Sequence, residues 1–95
     1  MRILGRLEHP VMQITVFEND GRFPVQFELG GLRQTFRFRK SSSLNNFGDV
    51  KQLLDATFID QVLQQFKPMQ RMQSELLDRH TQEERSTAND LPDII

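Results

Sequence analysis

The sequence predicts an α+β fold: an antiparallel meander of three to four strands packed on C-terminal helices. Three observations carry this expectation. Apolar residues alternate with a period of two through most of residues 11–40, and Gly-containing joints divide the alternating runs. From Val50 onward the apolar spacing changes to that of a helix.

In the run 23–29, Phe23, Val25, Phe27 and Leu29 fall on one face. In the run 32–40, Gln34, Phe36 and Phe38 oppose Arg33, Thr35, Arg37 and Arg39, and in 11–18, Met12, Ile14 and Val16 oppose Gln13, Thr15 and Phe17. The joints Asn19-Asp20-Gly21-Arg22 and Gly30-Gly31 hold residue types that accept the positive φ of tight hairpins. Residues 2–8 read either as a fourth strand or as the start of a long first strand bent at His9-Pro10.

A polar connector, residues 41–48, leads to an amphipathic helix expected over 49–66, with Asp49 as its N-cap and Val50, Leu53, Leu54, Phe58, Val62 and Phe66 as its apolar stripe. Thr57, with Asp60 three residues on, offers a second helix start and hence a break near Ala56. Pro68 is expected to kink or interrupt the helix, since its ring lacks a donor and crowds the preceding turn. A second helix over 68–85 then carries Met69, Met72, Leu76 and Leu77 on one side. Arg71, Glu75, Arg79 and Glu83, spaced by four with alternating sign, mark its solvent side. The organisation expected is one α+β domain over 1–85 (strands within 2–40, helices 49–66 and 68–85), followed by a flexible acidic tail over 86–95. The core expected comprises Met12, Ile14, Val16, Phe23, Val25, Phe27, Phe36, Phe38, Val50, Leu54, Phe58, Val62 and Phe66.

Size bears on the helices. A compact chain of this length has a radius of gyration of about 12 Å. An unbroken helix from Phe58 to Arg85 would run about 42 Å. It either folds back at Pro68 or projects beyond its own sheet.

Composition narrows the function classes. The 95 residues are 37% hydrophobic and 26% charged, with eight Phe and no Trp, Tyr or Cys. Disulfides, thiolate nucleophiles and cysteine-based metal sites are excluded. The net charge is −1, but residues 1–40 hold seven basic and four acidic residues while residues 41–95 hold five and nine. His9 and His80 lie far apart in sequence, each reading as solvated or locally bonded rather than catalytic. Asp49, Asp55 and Asp60 do not share a helical face, and no GxGxxG, GKS or GKT phosphate loop occurs. The expectation is therefore no enzyme, no cofactor, no metal and no small-molecule substrate. No apolar stretch is long enough to span a bilayer and the first ten residues hold no leader-like apolar run, so a cytoplasmic location is expected.

Two surfaces remain as candidates. The first is Met69, Met72, Leu76 and Leu77, an adaptable apolar stripe beyond the reach of the sheet. It suggests a small protein-interaction module, homodimeric or a subunit or adaptor of a larger assembly. The alternative is a single-stranded DNA or RNA binder using Arg33, Arg37, Arg39 and Lys40, with Phe17 the one aromatic ring on their side of the sheet.

Overall fold

The structure, a computed structural model, describes residues 1–89, with side chains through residue 82. Four strands form one antiparallel sheet in sequential order: β1 (Arg2–Leu7), β2 (Gln13–Glu18), β3 (Arg22–Leu29) and β4 (Leu32–Arg39). Two C-terminal helices follow, α1 (Phe47–Leu53) and α2 (Ala56–Asn89). Residues 2–7 thus form a fourth strand, separate from β2. His9 makes the corner between them: its Nδ1 accepts from the backbone N–H groups of Val11 and Met12, both at 3.1 Å.

Local chemistry accounts for the hairpins. Asp20 and Gly21 adopt φ of 55° and 79°, and Asn19 and Arg22 exchange both backbone hydrogen bonds at 2.9 and 3.1 Å. Positive φ at both central residues defines a type I′ turn, whose twist matches that of the strands it joins. Pro24 sits in a central strand, a place its missing donor normally forbids. The β2–β3 ladder is registered from Gln13↔Glu28 to Val16↔Val25 and resumes only at the Asn19↔Arg22 bridge, so Pro24 lies in the gap.

One face of the sheet is covered by the helices. Ile14, Val16, Phe23, Val25 and Phe27 are fully buried against Val50, Val62 and Phe66. Phe27, Phe36 and Phe58 form a triad of edge-to-face rings with centroids 5.1 to 6.0 Å apart, joining β3, β4 and α2. Such geometry sets the positive ring edge against the negative face. Phe36 and Phe38, on the edge strand β4, and Phe58, in the first turn of α2, are half-buried at the margin of this core rather than at its centre. Gln34 shares their face and donates from Nε2 to the Val62 carbonyl at 3.0 Å, a polar clasp between β4 and α2. A β-bulge between Ile3 and Gly5 brings Gly5 under the Phe47 ring of α1. A Cβ on Gly5 would stand 2.8 Å from Phe47 Cζ, so this close approach requires glycine.

The helices depart from expectation in three ways. The N-cap of α1 is Asn46, whose side chain accepts from Asp49 N–H at 2.8 Å, while Asp49 reaches back to the Asn45 N–H at 2.9 Å. The break offered near Ala56 does divide the helix expected over 49–66, falling at Leu54-Asp55, but Asp55 rather than Thr57 caps α2 by accepting from Phe58 N–H at 2.8 Å. Finally, no separate helix over 68–85 exists: α2 runs unbroken through Pro68. Proline orphans the carbonyl four residues earlier, here that of Gln64, an exposed residue whose backbone water can serve. Of the tail expected over 86–95, residues 86–89 close α2 and 90–95 lie outside the described residues.

A helix of 34 residues is about 51 Å long, whereas strands of eight residues span about 26 Å. Only the first half of α2 can lie on the sheet. The molecule measures 64 × 27 × 16 Å with a radius of gyration of 19.5 Å, well above the compact value. The second half is an arm.

Candidate functional sites

The arm continues the core stripe into solvent. Val62 and Phe66 are buried and Met69 is half-buried, but Met72, Leu76 and Leu77 are 67%, 57% and 57% exposed. All six recur at helical spacing along one side of α2, so the change comes from the sheet ending beneath them. At the point of departure Gln73 lies over Gly31 of the β3–β4 turn. There Leu32, Met69, Met72, Gln73, Leu76 and Arg79 line an open, mainly apolar groove. The sequence pattern identified Met69, Met72, Leu76 and Leu77, and the structure places all four along the arm. It adds Leu32, a strand residue whose position beside the helix depends on which end of the sheet the arm leaves.

The arginines lie on the opposite, uncovered face. Register places Arg33, Thr35, Arg37 and Arg39 on β4 beside Glu28, Gln26, Pro24 and Arg22 of β3. On β2 the same face carries Gln13, Thr15 and Phe17, and on β1 it carries Ile3 and Arg6. Arg33 pairs with Glu28 at 3.6 Å, an exposed ion pair of small energetic weight. Arg6, Arg22, Arg37 and Arg39 form no ion pair among the described residues.

Lys40 does not belong to this group. It follows the end of β4 with the opposite parity, lying 5.5 Å from the centroid of the buried Phe23 ring and bonding the Glu18 carboxylate. Glu18 also takes the Arg2 guanidinium. Hydrogen bonds from Lys40 first and Arg2 second hold the Glu18 carboxyl below its ordinary range. Lys40, grouped by sequence with the arginine face, thus belongs to a separate ionic cluster with Glu18 and Arg2. Arg22, by contrast, escaped the sequence reading because it stands in a turn motif. Its parity with Pro24 was the available signal.

Among the described residues no group of three or more His, Cys, Asp or Glu is placed to hold a metal, and no helix is long and apolar enough to cross a membrane. Comparison with protein-family models, with characterised proteins and with solved structures found no match to this chain.

Proposed function

We propose that this protein is a self-associating interaction module whose contact surface is the arm of α2. The observation that supports this reading is the run of exposed Met72, Leu76 and Leu77, continuous with a stripe that is buried over the sheet. Exposed large apolar residues that extend a core stripe and border a groove mark contact surfaces.

The charge pattern favours a second copy of the chain as occupant. Arg71, Glu75 and Arg79 alternate in sign at intervals of four, and Glu75 and Arg79 line the same groove as Met72 and Leu76 rather than the far side of the helix that the sequence suggested. Two antiparallel arms crossing at Leu77 would set Glu75 of each against Arg79 of the other. A parallel pairing would set like charge against like. The pattern is self-complementary under a two-fold axis, the usual symmetry of small homo-oligomers.

Sedimentation velocity tests the reading. The full chain is expected to sediment at twice its 11.2 kDa mass, and Leu76→Glu/Leu77→Glu at the monomer mass. Both leucines are more than half exposed, so this variant should keep its fold, checked by circular dichroism. Glu75→Lys is expected to weaken the dimer and Glu75→Lys/Arg79→Glu to restore it. A wild-type chain that stays monomeric at all concentrations removes the proposal, and dimers indifferent to the leucine substitutions would move the contact elsewhere.

A further inference from the structure

We infer that the uncovered face of the sheet binds single-stranded nucleic acid, a role separate from the proposed contact through α2. Five of the nine arginines in the chain, Arg6, Arg22, Arg33, Arg37 and Arg39, project from this face, and all are exposed. None of the three lysines does. A solvated face has no reason to prefer arginine, whereas a phosphate- and base-binding face does. The guanidinium is planar, presents paired donors to phosphate oxygens and stacks on rings.

The register arranges these residues in rows about 7 Å apart, two residues along each strand. Arg22 and Arg39 stand directly opposite one another at the end nearest the β2–β3 turn. Like charges in that relation destabilise a sheet, and neither arginine forms an ion pair among the described residues. Edge protection accounts for charges on β4, but Arg22 lies on a central strand, and protection would be served equally by mixed signs. The next row holds Ile3, Phe17, Pro24 and Arg37: Pro24 is buried, and the apolar surface it leaves open is Ile3, 55% exposed, with the half-buried Phe17 ring. In the third row Arg6 and Thr35 are exposed and Gln26 half-buried, offering a cation and hydrogen-bonding groups, while Thr15 between Arg6 and Gln26 is buried.

Apolar surface flanked by arginines suits bases laid on the sheet with their phosphates alongside. A four-stranded sheet is too broad to enter a major groove that admits one helix or a two-stranded ribbon, so a single strand is the form that fits. Arg6, Arg22, Arg37 and Arg39 make the phosphate contacts, and Phe17 with Ile3 receives the bases.

Fluorescence anisotropy of the full chain with a labelled single-stranded oligonucleotide tests this assignment, with the same sequence as a duplex, polyglutamate and anionic phospholipid vesicles as competitors. Four phosphate contacts predict a log–log salt slope of about −2.8, hence about 50-fold weaker binding at 200 than at 50 mM salt. Arg37→Gln/Arg39→Gln should halve that slope, and Phe17→Ala should weaken binding about tenfold or more through lost stacking. Lys51→Gln/Lys67→Gln, off the sheet, should change nothing. Leu76→Glu/Leu77→Glu should still bind, which separates this outcome from the fate of the dimer. Absence of binding at low salt overturns the proposal. So does equal binding by the arginine variant with its melting temperature unchanged, or displacement by duplex, polyglutamate or vesicles as effective as that by the single strand.

Discussion

Phe66→Ala tests how α2 is seated, and its cost can be worked from the structure. Phe66 is fully buried, packed with Val62 against the sheet. A buried phenylalanine withdraws roughly 150–250 Å² from water, and at about 25 cal/mol per Å² that is worth roughly 4–6 kcal/mol. Alanine retains part of this and leaves a cavity, so the net loss is about 3–5 kcal/mol. A domain of this size is stable by roughly 5–14 kcal/mol, so the substitution consumes a large fraction of it. The melting temperature should fall by at least about 12 °C. Leu76→Ala, on the same side of the same helix but 57% exposed, should cost the monomer under about 0.5 kcal/mol. Far-UV circular dichroism during thermal and urea unfolding is the assay, because a chain without Trp or Tyr has little useful fluorescence. A Phe66→Ala loss below about 1 kcal/mol, or equal losses for the two variants in the monomer, would refute the division of α2 into a packed half and an arm.

Two further outcomes follow from local interactions. Because the Glu18 carboxyl titrates lower in the folded chain than in the unfolded one, its ionic cluster stabilises the fold at neutral pH. That contribution persists down to the unfolded value, near 4.5, and fades as pH falls through the folded one. Glu18→Gln should therefore flatten the acid limb of a stability–pH profile measured by urea unfolding; identical limbs would show that the cluster contributes nothing. Asp55→Ala removes the side-chain acceptor for Phe58 N–H and should cost about 0.5–2 kcal/mol, while Thr57→Ala should cost less, since Thr57 is not the cap. A larger loss for Thr57→Ala in the same melts would place the start of α2 wrongly.

Strand positions were legible because every relevant signal was local. Alternation through Phe23, Val25 and Phe27 names the buried face without knowledge of what covers it, and Asp20-Gly21 names its own turn. The helix boundaries were less legible. Asn46, Asp49, Asp55 and Thr57 are all competent caps, and which one serves depends on where the chain must turn to put Val50 and Val62 on the sheet. That Pro68 does not interrupt α2 has a related reason: an orphaned carbonyl is costly only where water cannot reach it, and exposure is a tertiary property.

The candidate surfaces divide in the same way. Parity alone put Arg33, Arg37 and Arg39 on one face, since a strand's side chains alternate whatever its neighbours are. Strand order and register added Arg6 and Arg22 to that face and sent Lys40 with Glu18 to the other side. The sequence by itself determined the α+β class, the core stripe and the presence of more helix than the sheet can cover. Only the tertiary structure decided where that cover ends, because burial is set by the sheet's finite length, about half that of α2, and not by any residue within the helix.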